Sequence, residues 1–392
     1  GRWPLPRRQS CRLCLIVTGC AVPLKEPSWW YDNPSSRMPG ILRPLARIYA
    51  ERAVARHARS RPYRSRLPVI CVGNFTAGGT GKTPLSMHIA ARLTAMGERP
   101  AILTRGYGGK LRGPHWVDPD RDVAMDTGDE PLLLARTAPT LIASDRRAGA
   151  ICIEIEAASA PERSPTAIIM DDGLQNPALI KDFTIAVVDG RRGLGNGKVI
   201  PAGPLRMELV DQLPLADAVV VNSRSYNGDD PDQTETGIFQ AMRREFPGPV
   251  LAAETQPYGD LDWLPQEPIV AFAGIANPDR FFSLLERHGA NLVQRVVFKD
   301  HQALQERDAA RLLKSAHFLQ ARLVTTEKDY VRLKGGGTSL NQLRAATRTL
   351  RIGLKFNGAD AQRLDALLAS ALSSGGYRNG LQGHGARITD PK

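Results

Sequence analysis

The chain has 392 residues, 42% apolar and 23% charged, as expected of a globular enzyme with one large core or two moderate ones. Its net charge of +12 points to an acidic partner such as a nucleotide or an anionic lipid. The absence of a zinc finger, an RRM signature or a basic zipper sets nucleic acid aside, and five cysteines, three of them in the first twenty residues and two in apolar runs, are not a disulfide framework.

In chain order, Arg7 and Arg8 followed by Leu13–Val22 resemble a short signal peptide, and Val17-Thr18-Gly19-Cys20 resembles a lipoprotein cleavage box. Cys11 and Cys14 form a CxxC with no second half to complete a zinc site. Residues 1–26 are expected to be an extraneous extension of a cytosolic protein. Cys71 and Cys152, in apolar runs, read as small core residues.

Residues 27–66 form a distinct segment in which Trp29, Trp30 and Tyr31 precede an expected helix from Met38 to Ser60. At helical spacing Ile41, Leu42, Leu45, Ala46, Ile48, Tyr49 and Ala53 share one face, with Arg43 and Arg47 opposite and Arg52 and Arg56 on the apolar side. A bilayer span needs about 20 mostly apolar residues, and each central Arg costs roughly 2.5–3.5 kcal/mol. The pattern therefore predicts an interfacial amphipathic helix on an anionic membrane surface, the alternative being a helix packed on the protein's own body.

From Leu67 short Val- and Ile-rich runs recur at Val69–Val72, Ala101–Leu103, Thr140–Ala143, Ala167–Met170, Ile185–Val188 and Ala218–Val221, with helices at Pro84–Met96 and Glu130–Arg136. Such runs suit strands buried on both faces, so the fold class is α/β: a P-loop core over 67–246 with a mostly parallel sheet. After Pro247-Gly248-Pro249 a smaller α/β lobe is expected over 247–372. Its strands would lie at Ile269–Phe272, Leu292–Phe298, Arg322–Thr325 and Leu350–Leu354, and its helices near 278–288, 305–318 and 360–372. The Gly-rich stretch 373–392 reads as a disordered tail.

Gly73-Asn74-Phe75-Thr76-Ala77-Gly78-Gly79-Thr80-Gly81-Lys82-Thr83 follows an apolar strand and opens a helix, as a phosphate-binding loop must. Residues Thr76 to Thr83 would wrap the phosphates of ATP with inward N–H groups, Lys82 would reach the β- and γ-phosphates, and Thr83 would ligate Mg2+. Thr76 stands where the first Gly is usual. Ile168-Ile169-Met170-Asp171-Asp172-Gly173, a strand ending in two carboxylates, would put Asp171 or Asp172 beside that metal. Arg105-Gly106-Tyr107-Gly108, Gly128-Asp129-Glu130-Pro131 and Pro201-Ala202-Gly203-Pro204-Leu205-Arg206 also set charge at expected strand ends, and Asp300-His301 offers a histidine oriented by a carboxylate.

Taken in order, GNFTAGGTGKTP, RGYG, GDEP, DDGLQ, PAGPLR, AFAGIANPDRFF, FKDH and TTEKD resemble the tetraacyldisaccharide 4'-kinase family, the lipid A 4'-kinases, from about Pro27 to Leu354. The resemblance implies transfer of the ATP γ-phosphate to the 4'-hydroxyl of a lipid disaccharide 1-phosphate, giving lipid IVA. It implies an Asp129–His301 dyad that activates the hydroxyl, Asp171 and Asp172 serving Mg2+, Gln175 near the nucleotide, and Arg206 stabilising charge on the transferring phosphoryl group. It also implies a protein, expected to be a monomer, at the cytoplasmic face of the inner membrane of a Gram-negative bacterium. Asn176, Met207 and Gln302 depart from residues usual in the family beside these positions. Rival readings are a metal-chaperone type P-loop GTPase, for which Val221-Asn222-Ser223 supplies only the Asn of a guanine motif, and a nucleotide-regulated membrane-surface protein.

Overall fold

The apolar runs become strands because helices cover both of their faces. In β1 (Val69–Asn74), Ile70 and Val72 pack into one core with Leu85, Ile89 and Leu93 of the helix Lys82–Ala95. Val69 and Cys71 enter the opposite core, with Ala150 and Ile153 of the helix Arg146–Ser159. The alternation of side chains along a strand makes an unbroken apolar run a two-sided requirement. A computed structural model describes residues 26–33, 35–159, 164–223, 233–275, 277–300 and 302–375. Expectations for residues 1–25, for His301 and for 376–392 lie outside the described residues.

The large sheet adds β2 (Pro100–Thr104), β3 (His115–Trp116), β4 (Thr140–Ile142), β5 (Ala167–Asp171), β6 (Phe183–Asp189), β7 (Ala218–Ser223) and β8 (Val250–Pro257). The small sheet consists of β9 (Pro268–Ala273), β10 (Asn291–Val297), β11 (Arg322–Thr326) and β12 (Thr347–Leu350), after which β13 (Ile352–Phe356) returns to the large one. The large sheet runs β13-β8-β7-β6-β1-β5-β2-β4-β3, parallel except where β13 meets β8 and β3 meets β4. The small sheet runs β10-β9-β11-β12, all parallel. Its two faces are covered by Phe281, Phe282 and Leu285 on one side and Leu312, Leu340 and Leu343 on the other.

The α/β class and the parallel P-loop core are as expected, but three sequence expectations need correction. The boundary at residue 247 does not follow the sheets. β8, β13 and the helix Gly358–Gly375 pack with the large sheet, so the small sheet is an insertion between β8 and β13. Pro247-Gly248-Pro249 is a turn within the large sheet's fold, where Val219 N–H donates to Pro249 O at 3.0 Å. The apolar run expected as one strand at Leu350–Leu354 is divided at Arg351 between two sheets, a change that hydropathy does not register. The last helix runs on to Gly375, past the expected limit at 372.

The N-terminal helix is also divided, into Met38–Ile41 and Arg43–Ala58, because Pro44 has no N–H to continue the first piece and instead sits in the opening turn of the second. Its expected apolar face splits in two. Ala46 is buried on the protein, as is Ala50, which is not among that face's expected residues, whereas Ile41, Leu45, Ile48 and Tyr49 are 66%, 57%, 47% and 44% exposed. Among the described residues no helix is long and apolar enough to cross a membrane.

Candidate active site

β1 is flanked by β5 and β6 in the parallel sheet, so the loop after β1 and the carboxylates ending β5 emerge side by side. The carboxyl ends of parallel strands at such a crevice are where α/β folds bind ligands. Gly78 (φ 103) and Gly81 (φ 105) provide the left-handed turns of the loop, and Gly81 opens the helix Lys82–Ala95. A Cβ on Gly81 would fall 2.5 Å from Asn222 Nδ2, which donates to Thr80 O at 3.1 Å. Asn222 therefore holds the loop here, and its own Oδ1 accepts from Thr255 Oγ1 at 2.9 Å.

Other bonds fix the loop from both ends. Asn74 Nδ2 donates to Thr80 Oγ1 (3.1 Å) and Gly78 O (3.4 Å). Ala77 N–H donates to Pro204 O (2.7 Å), and Arg206 N–H donates to Phe75 O (2.9 Å). Gly78 and Gly79 face solvent, Ala77, Lys82 and Thr83 are half-buried, and Thr76 and Thr80 are buried. Thr76 is part of a strand-like bridge to Leu205, which gives the missing first glycine a physical reason: this position is extended backbone paired with a neighbour, not a turn.

Asp171 is buried, accepting from Ser86 Oγ at 2.8 Å and Thr104 Oγ1 at 3.2 Å. Burial, then the charges of Glu130 and Asp172, push its carboxyl up to about 6. Asp172 is half-buried in a left-handed turn (φ 50) and accepts from Arg206 Nη1 at 2.9 Å and Nη2 at 3.3 Å, with Lys82 Nζ 3.9 Å away. Burial works to raise Asp172 as well, but Lys82 and Arg206 overcome it and bring it down to about 2. The structure thus brings Lys82, Asp172 and Arg206 together, with Asp171 behind them. Arg206 Nε also donates to Thr76 O at 3.3 Å, tying the Pro201–Arg206 turn to the loop.

Among the described residues no cluster of three or more His, Cys, Asp and Glu side chains could cage a metal. Magnesium is usually held by one or two carboxylates, phosphate oxygens and water. The crowding that raises Asp171 is relieved by a nearby cation, so the residues fit such an ion.

Gln175, expected near the nucleotide, is tied to the loop segment: Nε2 donates to Asn74 O at 2.7 Å and to Gln212 Oε1 at 2.6 Å. Gln212, fully buried, in turn donates to Phe75 O (3.2 Å) and Met207 O (2.8 Å). Gln175 therefore braces the loop's backbone.

Asp129 is the first residue of the helix Asp129–Leu134 and is buried. Its Oδ2 accepts from Arg332 Nε at 3.0 Å and also from Arg332 Nη2, and Lys328 Nζ is 3.7 Å away. The Arg105–Gly108 turn is fitted beside it, where a Cβ on Gly128 would sit 2.3 Å from Tyr107 O.

Three participants escaped the sequence reading. Arg146, only 2% exposed, begins the helix after β4, and its Nη1 donates to Ala143 O at 2.5 Å. Its Nε is buried without a hydrogen-bond partner among the described residues. Burial lowers its pKa against the opposing pull of Asp171 and Asp172, so it belongs to their electrostatic neighbourhood. Asp189 ends β6, accepts from the N–H groups of Arg191 (3.0 Å) and Arg192 (3.1 Å), and lies 3.9 Å from Arg280 of the small lobe. Arg332 is the third. The available signal was position alone: Ser144-Asp145-Arg146-Arg147 directly follows an expected strand, as does Thr326-Glu327-Lys328-Asp329.

A phosphate loop, paired carboxylates and a buried aspartate gripped by a second lobe narrow the possibilities, and sequence comparison decides among them. The profile of the tetraacyldisaccharide-1-P 4'-kinases matches residues 38–373. The chain belongs to this family. A tetraacyldisaccharide 4'-kinase of Parvibaculum lavamentivorans is 42% identical over 354 residues, covering 89% of this chain and 98% of the relative. One of Rhodopseudomonas palustris is 43% identical, covering 87% and 94%. The crystal structure of LpxK from Aquifex aeolicus in complex with ATP has the same fold, with a TM-score of 0.65 at 23% identity over 86% of this chain and 99% of that one. Like its curated relatives, this 4'-kinase family member is a phosphotransferase acting on a hydroxyl group.

Proposed function

We propose that the chain moves the γ-phosphoryl group of ATP to the 4'-hydroxyl of a tetraacylated glucosamine disaccharide 1-phosphate, producing lipid IVA and ADP. The observation that carries this reading is the pairing of a phosphate loop with a buried carboxylate, Asp129, supplied from outside the loop and held by the small lobe. A loop and its metal ligands provide no base, yet a sugar hydroxyl is a poor nucleophile until its proton has somewhere to go. Asp129 and His301 would take that proton as the hydroxyl oxygen bonds to the γ-phosphorus and the bridge to the β-phosphate breaks. Lys82 would follow the charge onto the β–γ region. Arg206 would exchange its bonds to Asp172 for phosphoryl oxygens. Thr83, with Asp171 or Asp172, would hold magnesium, which supplies charge neutralisation between the phosphates.

Incubation of purified protein with ATP, magnesium and the lipid acceptor should transfer label from the γ-position to the lipid, with ADP formed only when acceptor is present. Acceptor-independent ATP consumption without labelled lipid would overturn the reading in favour of a P-loop ATPase.

We further propose that the protein works at the cytoplasmic face of the inner membrane, on an anionic surface. Support comes from the exposed Ile41, Leu45, Ile48 and Tyr49, with Arg52 and Arg56 exposed on the same side of the helix. If these side chains enter the interface, Leu45→Glu with Ile48→Glu removes about 1.5–3 kcal/mol of burial each, so binding to anionic vesicles should fall by roughly tenfold or more. Thermal stability should stay unchanged, because neither residue is packed. Undiminished vesicle binding would place the membrane contact elsewhere.

A further inference from the structure

The small lobe grips Asp129 chiefly through Arg332, a side chain that is itself held within that lobe. Arg332 Nη1 donates to Gly274 O at 2.8 Å and to Asp329 Oδ1 at 2.8 Å. Asp329 is fully buried, and its Oδ2 accepts from Gly274 N–H at 3.0 Å and Thr326 Oγ1 at 2.7 Å. Thr326 caps the helix Glu327–Arg332 by accepting from Asp329 N–H at 3.0 Å. This frame locks one end of the guanidinium inside the small lobe and leaves Nε and Nη2 directed at Asp129 Oδ2. The side chains of Arg332 and Asp129 are 7% and 6% exposed, so solvent screens the pair little. A surface ion pair would need no explanation, but burying two charges together is seldom worth its desolvation for stability alone.

The same frame touches the segment leading to Asp300. A Cβ on Gly274 would sit 3.3 Å from Lys299 O and 3.2 Å from Asp329 Oδ1, so nothing larger than glycine fits easily between Arg332's support and that segment. Gly274 ends the strand motif Ala271-Phe272-Ala273-Gly274, and Phe298 N–H donates to Ala273 O at 2.9 Å. One glycine therefore joins the backbone beyond β10 to the arginine that grips Asp129.

We infer that Arg332 is the positioning residue for Asp129: it fixes the carboxylate's orientation and keeps it ionised, and it does so only while the small lobe is docked. This assignment rests on the reading of Asp129 as part of the base dyad. Lys328 supports it from the same helix, contacting Glu130 Oε1 at 3.3 Å and standing 3.7 Å from Asp129 Oδ2. Of the charged groups on helices packed against Asp129–Leu134, Asp126 and Lys82 lie on neighbouring elements, and Glu130 shares the helix. Among the described residues, Arg332 and Lys328 bring cations to Asp129 itself. Oriented this way, the carboxylate is poised before substrate arrives, and a protein whose small lobe is undocked lacks a competent base. Such an arrangement suppresses transfer of phosphate to water.

The test is the pH dependence of kcat for the full chain with ATP and lipid acceptor, comparing wild type with R332M, R332K, K328M and D129N. Removing a cation beside a carboxylate favours its protonated form, so the acid limb in R332M should move up by about one pH unit. Its kcat near neutrality should fall by about tenfold or more while KM for ATP holds. R332K, which restores charge without the two-pronged grip, should recover the limb and part of the rate. K328M should move the limb in the same direction by less, and this variant carries the test if R332M melts early. A wild-type acid limb in R332M or K328M overturns the inference. So does a uniform loss at every pH that R332K does not relieve, which would make Arg332 a scaffold residue. Wild-type activity in D129N would instead overturn the dyad reading beneath it.

Discussion

The loop after β1 and the helix Glu327–Arg332 both bring positive groups to the carboxylate-bearing edge of the large sheet, by different means. The loop is made of backbone: two left-handed glycines, N–H groups and a helix start, braced by Asn74, Asn222 and Gln175. Its ligand chemistry is fixed as soon as the chain turns. The small-lobe helix contributes side chains alone, Lys328 and Arg332, whose placement depends on an entire lobe being docked. A site divided in this way can bind nucleotide with one half and license its use with the other. The difference predicts that damage to the loop costs ATP binding, whereas damage to the small-lobe contacts costs transfer.

The largest effect is expected from Lys82→Ala. Loss of this Lys, whose Nζ lies 3.5 Å from Gly78 O and 3.9 Å from Asp172, should lower kcat/KM by about 10³-fold and weaken ATP binding, read by calorimetry and acceptor kinetics together. A normal ATP affinity would blur the contrast, because the loop would then not be the binding half. Gly81→Ala comes next. A side chain at φ 105, 2.5 Å from Asn222 Nδ2, should lower stability by about 1–3 kcal/mol and weaken ATP binding in step, measured by thermal melts with and without nucleotide. Gly274→Ala is its counterpart in the small lobe. Its added methyl meets atoms at 3.2–3.4 Å rather than at clashing distance, so kcat should drop by about tenfold or less with ATP affinity intact.

The smallest effect concerns His57, whose Nε2 lies 3.1 Å from Gln175 O and whose pKa is lowered by burial. A histidine held neutral in the folded state contributes stability above its unfolded pKa, near 6.5, and loses it as pH falls toward its depressed folded value. Stability should therefore decline on acidification through that window, and His57→Gln should flatten the decline. A pH profile identical in the variant would detach His57 from the bracing of Gln175.

Which half of the site was legible in the sequence follows from the same division. The loop could be read because its requirements are local: glycine, lysine and threonine at fixed offsets after an apolar run. Asp171 and Asp172 were legible for the same reason, ending a strand. Arg332 meets Asp129 across 203 residues of chain, and no periodicity or turn signal reports that encounter. Arg146 was hidden differently, as an arginine among arginines whose 2% exposure only the fold reveals. The strands of the large sheet declared themselves through two-sided burial, whereas β8, with its polar end Glu254-Thr255-Gln256, and the two-residue β3 did not. The N-terminal helix shows a limit of hydropathy itself. Seven residues share an apolar arc, but small ones such as Ala46 face the protein and large ones such as Ile48 face away. A moment cannot distinguish those two uses of one face.

The central claim, that the loop binds and the small lobe's partner Asp129 enables transfer, is tested most directly by one comparison on Asp129→Asn: ATP affinity against phosphoryl transfer to the lipid acceptor. The expected result is wild-type ATP affinity with transfer reduced by about 10²-fold or more. Transfer at the wild-type rate, or a loss of ATP binding that accounts for the whole defect, would contradict it.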